Sequence, residues 1–250
     1  MNIDLATQLR SGTRYSHTLA ENTAYMKYFL QGIIGREPFR KLLGNLYFVY
    51  GTLEAELLRH CNHKIVSWIY FPQLERKANL EVDLTYYYGN NWREKIVLSK
   101  AASNYVTHLH KIAYTEPALL VAHSYVRYLG DLSGGQVLKK IIRSALELPK
   151  NLGTRFYEFD YFSSMSDVRE FKGQYRDALN SLPVEEELAA KIVKEANYAF
   201  SLNCAILHSL EADVKAAIGE NIFAEILSEK KRGSTERSSA KFSTELVTTE

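Results

Sequence analysis

Apolar residues recur three and four positions apart along most of this chain, which is the spacing of the buried face of an α-helix. Residues 38–60 show the pattern clearly, with a stripe through Phe39, Leu42, Leu46 and others. Pro38 suits the first turn of such a helix, where its missing N–H is not needed. Strand-like alternation of apolar and polar residues is hard to find. The pattern therefore predicts an all-α protein.

The same spacing predicts further helices, separated by short polar or proline-containing segments. Residues 150–166 are aromatic and irregular, and residues from 230 onward are polar and rich in serine and threonine. We therefore expect one all-helical domain over residues 1–228 and a disordered polar tail over residues 229–250. The predicted helices are residues 4–34, 38–60, 73–88, 92–114, 115–148, 167–181 and 184–228, with weak points at Gly12 and Asn22.

One predicted helix carries a cluster of glycines. Gly130, Gly134 and Gly135 lie within residues 128–136, and apolar residues at helical spacing flank this segment on both sides. Each glycine inside a helix costs about 1 kcal/mol relative to alanine. A helix that carries this cost usually bends or brings its backbone close to another group. The segment is therefore the first candidate for a functional site.

Four residues of this helix share one face. On a helical wheel, Arg127, Gly130, Asp131 and Gly134 fall within an arc of about 100°. Two glycines one turn apart expose a flat strip of backbone that suits a planar ligand, and Arg127 and Asp131 are spaced to form an ion pair. Close packing against another helix, with the ion pair at the surface, explains the same residues. The segment by itself does not show whether the glycines face a ligand or another helix.

Two histidines are candidates for the chemistry of the site. His17 is a candidate metal ligand, because Glu21 lies one helical turn away and can orient its imidazole. His123 lies on the same wheel face as Gly130, so it is a candidate distal base. For either residue the alternative is an ordinary surface or core histidine.

A pair of cations forms the third candidate. Lys172 and Arg176 lie one turn apart, beside Phe171 and Tyr175. Two cations on one helix face can bind carboxylates, arginine through its planar fork and lysine as a point charge. An ordinary solvated helix face gives the same pattern.

The sequence lacks the motifs of several other kinds of functional site. His108 and His110 are two residues apart and cannot face one metal ion from one helix. The sequence contains no glycine-rich phosphate loop with Lys-Ser/Thr, no Gly-x-Ser-x-Gly elbow and no pairs of Glu-x-x-His motifs of the kind that hold two iron ions. The remaining histidines, His60, His63 and His208, offer no useful spacing.

Composition narrows the class of protein. The chain has 250 residues, 46% hydrophobic content and a net charge of +2, so nucleic acid is not an expected partner. Cys61 and Cys204 lack metal-type spacing and suit a reducing compartment. No run of 18 apolar residues and no secretory pattern occur, so we expect a cytoplasmic protein without a membrane anchor.

The 17 tyrosines could line a pocket for a flat ligand or pack between helices.

The chain resembles the heme oxygenases over about residues 1–225. Residues 125–136, which read YVRYLGDLSGGQ, are similar to the long and specific signature of that family. Ser16-His17 with Glu21-Asn22 resembles the proximal helix, and residues 171–176 resemble the propionate-binding helix. Residues 45–50, which read NLYFVY, and the lack of an anchor resemble the cyanobacterial and plastid members.

The resemblance implies a single all-helical domain in which heme lies between a proximal helix and a kinked distal helix. It implies that His17 is the axial ligand of the heme iron, with Glu21 behind it. Gly130 and Gly134 would form the distal wall. Under this interpretation His123 lies outside the pocket.

The resemblance also implies roles for polar side chains around the heme. Asp131 would hold an ordered water network over bound dioxygen. The side chains expected to assist it are Arg127, Tyr50 and Asn203. Those expected to contact the two heme propionates are Arg10, Tyr125, Lys172 and Arg176.

The activity implied by the resemblance is cleavage of heme b at its α-meso carbon. Heme is then both substrate and cofactor, O2 is consumed, and the products are biliverdin IXα, carbon monoxide and ferrous iron. Because the chain has no flavin, nicotinamide or iron–sulfur motif, we expect reduced ferredoxin as the electron donor. Arg10 and Arg14, with Lys172 and Arg176, could attract this acidic partner. We expect a monomer in a cyanobacterial cytosol or a plastid stroma.

Two other functions remain open at this level. The first is a heme carrier or sensor that binds heme without converting it. The second is another enzyme with the same helical architecture, such as a thiamin-pyrimidine hydrolase. Such hydrolases need an activated cysteine, and neither Cys61 nor Cys204 has a visible activating neighbour.

Overall fold

The computed structural model describes residues 3–229 and Ser234. Within these residues the chain forms 13 α-helices and no β-strand, which confirms the all-α prediction. The helices are α1 (Leu5–Gly12), α2 (Arg14–Glu21), α3 (Ala24–Leu30), α4 (Arg36–Arg59), α5 (Lys77–Tyr88), α6 (Trp92–Lys95), α7 (Lys100–Thr115), α8 (Leu120–Ser124), α9 (Gly130–Ala145), α10 (Met165–Asn180), α11 (Glu186–Ser209), α12 (Glu211–Ile218) and α13 (Glu220–Ser228).

The first predicted helix, residues 4–34, is divided into three helices in the structure. Thr13 separates α1 from α2, and the side chain of Thr23 caps α3 by accepting a hydrogen bond from the backbone N–H of Met26 at 3.3 Å. Both breaks lie beside the predicted weak points, Gly12 and Asn22. Because of the two breaks, α2 is a separate helix that packs against α11.

Other boundaries also differ from the sequence prediction. The segment 92–114, predicted as one helix, forms the two helices α6 and α7. The second begins after Ser99, whose hydroxyl accepts a hydrogen bond from the backbone N–H of Ala102 at 3.1 Å. The segment 184–228 is α11, α12 and α13; Gly219, between the last two, has a φ of 84° that favours glycine. Helix α4 begins at Arg36, two residues before Pro38, which is tolerated because N–H groups of the first turn have no partner in the helix.

The glycine-bearing segment is interrupted. A 3₁₀ turn over Pro117–Leu119 and the short helix α8 are followed by a π-helical segment, Tyr125–Leu129, and only then by α9. Such π segments are a recognised cause of helix kinks and occur frequently at functional sites. The expected interruption is present, and it ends immediately before Gly130.

The core is built around α4 and α11. Helix α4 packs on α5 and α7, whereas α11 packs on α1, α2, α7 and α8. Most of the fully buried tyrosines pack between helices, among them Tyr25, Tyr28, Tyr105 and Tyr175. Helical packing therefore explains much of the tyrosine content.

The C-terminal end of the described chain is anchored by a buried lysine. Lys27 on α3 donates a hydrogen bond to the backbone carbonyl of Ile226 at 3.1 Å. Apart from Glu229 and Ser234, the tail predicted for residues 229–250 lies outside the described residues. Over the part of the chain that the structure describes, no helix combines the length and apolar character needed to cross a membrane.

Candidate functional site

Gly130 and Gly134 present bare backbone on α9. A Cβ atom added at either position would meet no neighbouring atom within 4 Å, and both residues are exposed. Gly135 differs, because its Cβ would lie 3.2 Å from Cδ1 of Tyr157. Close packing therefore explains Gly135, whereas Gly130 and Gly134 leave the open strip that a flat ligand needs.

Four side chains beside this strip form one hydrogen-bonded network. Tyr50, on α4, donates its hydroxyl proton to Oδ2 of Asp131. The same hydroxyl oxygen accepts a hydrogen bond from Nε of Arg127 at 2.9 Å. Arg127 also donates from Nη1 to Oδ1 of Asn203 on α11. The Tyr50 hydroxyl thus links the two charged groups, where their spacing in sequence suggested a direct ion pair.

The π segment explains this difference. Arg127 lies within it and Asp131 lies in the α-helix that follows. The wheel angle of 100° per residue does not hold across a π turn, which has more residues per turn. The two side chains therefore reach the common partner Tyr50.

The charges in the network are mutually dependent. Burial raises the pKa of Asp131, while the charge of Arg127 and the hydrogen bond from Tyr50 oppose that rise. Burial lowers the pKa of Arg127, but Tyr50 and Asp131 outweigh this effect and raise it overall. Arg127 therefore stays charged, and Asp131 binds a proton more readily than an exposed aspartate does.

His17 has a ring nitrogen without a hydrogen-bond partner. Its Nδ1 atom is buried and lies 3.6 Å from Oε2 of Glu21, beyond hydrogen-bond distance. The imidazole also meets the ring of Phe200 edge-on, with centroids 5.8 Å apart. An imidazole whose Nδ1 faces a carboxylate presents Nε2 for metal ligation.

Glu21 is held from a second direction by Ser234. The backbone N–H of Ser234 donates to Oε2 at 2.7 Å, and its hydroxyl donates to Oε1 at 2.5 Å. Burial alone would raise the pKa of Glu21, but the proximity of His17 and the bonds from Ser234 lower it to about 2. Glu21 is therefore ionised beside His17. No local pattern in the sequence indicates the contact with Ser234.

The expected propionate-binding residues form a positive patch. Burial raises the pKa of the Tyr125 hydroxyl, and the charges of Arg10 and Arg176 oppose this rise. Nζ of Lys172 lies 3.5 Å from Oγ of Ser133, so α10 reaches α9 beside the glycine strip. Burial and the charge of Arg176 lower the pKa of Lys172. These mutually repelling cations would be stabilised by a bound anion.

Helix α11 joins the two sides of the site. Oγ of Ser16, beside His17, donates a hydrogen bond to Oδ1 of Asn197 at 2.6 Å. Phe200 and Asn203 follow at intervals of three residues on the same helix. Asn197 and Phe200 were not among the predicted site residues, although this spacing indicates that they share a face with Asn203.

His123 is not part of the site. Its side chain is fully buried, with Nδ1 3.1 Å from the hydroxyl of Tyr105 and Nε2 2.8 Å from Oε1 of Glu195. The hypothesis that His123 is a distal base is therefore wrong. Its wheel position was misleading because α7 and α11 enclose that part of the helix.

Comparisons with known proteins identify the family of this chain. The sequence model of the heme oxygenase family matches residues 3–209. Heme oxygenase 2 of Synechocystis sp. is 58% identical over 233 residues, which cover 93% of each chain. The heme oxygenase of Porphyra purpurea is 46% identical over 210 residues, which cover 84% of this chain and 88% of that one.

A solved structure of a heme oxygenase shares the fold of this chain. The crystal structure of heme oxygenase-2 from Synechocystis sp. PCC 6803 in complex with heme and NO matches with a TM-score of 0.92 and 57% identity. The match covers 94% of this chain and 96% of that one. From the family match, the identity to these relatives and the shared fold, we conclude that this chain belongs to the heme oxygenase family.

Proposed function

We propose that this enzyme cleaves heme b at the α-meso carbon to give biliverdin IXα, carbon monoxide and ferrous iron. The observation that supports it best is the bare backbone at Gly130 and Gly134 beside the network of Asp131, Tyr50 and Arg127. Bound heme would activate O2 at its iron and would itself be the molecule oxidised. The chain's residues bind and orient heme and manage protons.

The residues present fit heme. The unpartnered Nδ1 of His17 faces Glu21, so Nε2 is suited to bind iron from the proximal side. The open space at Gly130 and Gly134 accommodates a flat ring that any Cβ would crowd. The role of Glu21 is to orient the imidazole and to increase its basicity through Nδ1.

Asp131 is proposed to move protons through water. Its Oδ2 is engaged by Tyr50, which leaves Oδ1 to hold an ordered water molecule. Because its pKa is raised, the carboxyl can accept a proton and return it within the site. Arg127 supplies a fixed positive charge, and Asn203 holds the guanidinium in place. The glycine strip itself offers no side-chain acid, so protons arrive through water.

The positive patch is proposed to set the orientation of the ring. Arg10, Lys172 and Arg176, with the hydroxyl of Tyr125, would bind the two propionates. Anchoring both carboxylates at one edge restricts the rotation of heme about the iron. A fixed ring presents one meso carbon to activated oxygen, which supports cleavage at the α-meso position.

Electrons are proposed to come from reduced ferredoxin. Arg10 and Arg176, which are proposed to bind the propionates, are exposed, as is Arg14, and all three carry charge of the sign that attracts a small acidic protein. Such a donor suits the cytosol of a cyanobacterium or the stroma of a plastid. We also propose that the enzyme works as a monomer.

The alternative functions have less support. A heme carrier has no use for a proton-handling carboxyl above the ring, and Asp131 with its raised pKa is suited to that task. A hydrolase of the thiamin-cleaving type needs an activated thiolate, whereas burial raises the pKa of the Cys204 thiol.

The proposed function is tested by adding hemin to the purified protein, then reduced ferredoxin in air, while recording the absorption spectrum. We expect a histidine-ligated heme spectrum that is replaced by the band of biliverdin. Stable heme would indicate a carrier instead, and absence of heme binding would favour the hydrolase. Isomer analysis of the product tests cleavage at the α-meso position.

A further inference from the structure

A second cluster of ionisable side chains lies outside the heme site. It consists of His108 on α7, His123 on α8 and Glu195 on α11. Nε2 of His108 and Nε2 of His123 lie 2.5 Å and 2.8 Å from the same oxygen, Oε1 of Glu195. All three atoms lie within 4.8 Å of one another. Three separate helices therefore direct two imidazoles and one carboxylate to a single point.

We propose that His108, His123 and Glu195 bind a divalent first-row transition metal ion, such as Zn²⁺ or Fe²⁺. Two imidazole nitrogens and one carboxylate oxygen are typical ligands of these ions, with water completing the coordination. Metal–ligand distances near 2.1 Å place tetrahedral donors about 3.4 Å apart. The carboxylate oxygen must then move away from each nitrogen by less than about 1 Å, which side-chain rotation can supply.

The orientation of the two rings favours this site. The hydroxyl of Tyr105 lies 3.1 Å from Nδ1 of His123 and can accept a hydrogen bond from a proton on Nδ1, which leaves the lone pair of Nε2 for a metal ion. The ring of Tyr198 packs edge-on against His108, with centroids 4.7 Å apart. Both imidazoles are therefore held in place by groups that do not bind the ion.

The cluster has an opening to solvent. The side chains of His108 and Glu195 are 18% and 12% exposed, whereas His123 is fully buried. An ion can therefore enter from the side of His108 and keep a water ligand there. A bound ion would link α7, α8 and α11, and His123 precedes Arg127 of the distal network by four residues.

The test is a titration of the heme-loaded protein with Zn²⁺, followed by calorimetry and by thermal unfolding. Heme is loaded first so that its iron occupies His17, which would otherwise offer another site for zinc. We expect binding of one equivalent with a Kd of about 1 µM or lower and a higher Tm in the presence of zinc. Glu195→Gln and His108→Asn should each weaken binding at least about tenfold and abolish the rise in Tm.

His208→Asn is the matched control. His208 is an exposed histidine that lies 2.6 Å from Oε1 of Glu211, so this variant removes a histidine–glutamate pair outside the proposed site. It should bind zinc as the unmodified protein does. The proposal is overturned if the unmodified protein binds no zinc, or if Glu195→Gln, which keeps a hydrogen-bonding side chain, binds it equally well. Heme binding and biliverdin formation are measured separately, so failure of the proposed function would be distinguishable.

Discussion

Phe200 and Asn203 lie one turn apart on α11 and contact two different parts of the proposed heme site. The ring of Phe200 packs edge-on against His17, and Oδ1 of Asn203 accepts a hydrogen bond from Arg127. One helix face therefore contacts both the proposed iron ligand and the distal network. The position of α11 sets the relation between the two.

Replacing Asp131 with asparagine should separate heme binding from heme cleavage. The amide still accepts a hydrogen bond from Tyr50, but it cannot accept and return a proton. We expect unchanged heme affinity and biliverdin formation slowed by about 100-fold or more, the usual contribution of a general acid–base group. Heme titration and single-turnover spectra measure the two effects. The exposed Asp160→Asn is the control, and normal turnover in Asp131→Asn would refute the proton-transfer role.

Replacing Gly134 with alanine should stabilise the fold and impair the site. The new Cβ meets no atom within 4 Å, so the heme-free protein should gain up to about 1 kcal/mol in free energy of unfolding from helix propensity. We expect weaker heme binding or slower cleavage, and a larger effect for Gly134→Leu, because each side chain enters the space of the ring. Denaturant unfolding and heme titration measure these changes.

Gly44→Ala is the matched control for this substitution. Gly44 lies inside α4, and its Cβ would lie in ordinary contact, 3.5 Å from Ile96. This variant should gain stability while heme affinity and turnover stay unchanged. Equal heme affinity and turnover in both alanine variants would argue against Gly134 as part of the distal wall.

Glu54 should make the protein less stable as pH rises from about 4.5 to about 7. Its carboxylate oxygen caps α5 by accepting the backbone N–H of Arg76 at 2.5 Å, and burial raises its pKa to about 7. The folded state then binds more protons than the unfolded state in this window. The free energy of unfolding therefore falls with pH, by up to about 1.4 kcal/mol per unit from this group.

Glu54→Gln keeps an acceptor for α5 but does not titrate, so it should remove this contribution. Urea unfolding at several pH values between 4.5 and 7 measures the slope for each variant. The exposed Glu94→Gln should keep the slope of the unmodified protein. An identical slope in Glu54→Gln would show that the carboxyl of Glu54 is ionised throughout this range.

Arg176→Gln should reduce the regiospecificity of cleavage. Loss of one cation from the propionate-binding patch weakens the hold on one edge of the ring, so heme can bind in more than one orientation. We expect lower heme affinity and measurable amounts of biliverdin isomers other than IXα, separated by chromatography. Lys150→Gln removes the same charge from an exposed residue outside the patch and should leave the product pure. A single isomer from Arg176→Gln would contradict the proposed role.

The apolar spacing of the sequence predicted that most of the chain is helical, but it predicted the ends of the helices less accurately. The apolar stripe of residues 38–60 predicted α4 to within two residues, because a long buried face repeats many times. Residues 4–34 and 184–228 were each predicted as one helix and are three. Their breaks depend on single residues such as Thr23 and Gly219, whose effect on the chain is local and leaves the apolar spacing on either side intact.

The sequence by itself determined which chemical groups are available: an imidazole one turn from a carboxylate, two glycines one turn apart, and a signature that resembles that of the family. Only the tertiary structure decided which groups meet. Tyr50 reaches Asp131 across 81 positions, and Glu195 binds both His108 and His123. Helical spacing predicts on which side of a helix a residue lies. The residue that it contacts on that side depends on how helices that are distant in sequence pack together.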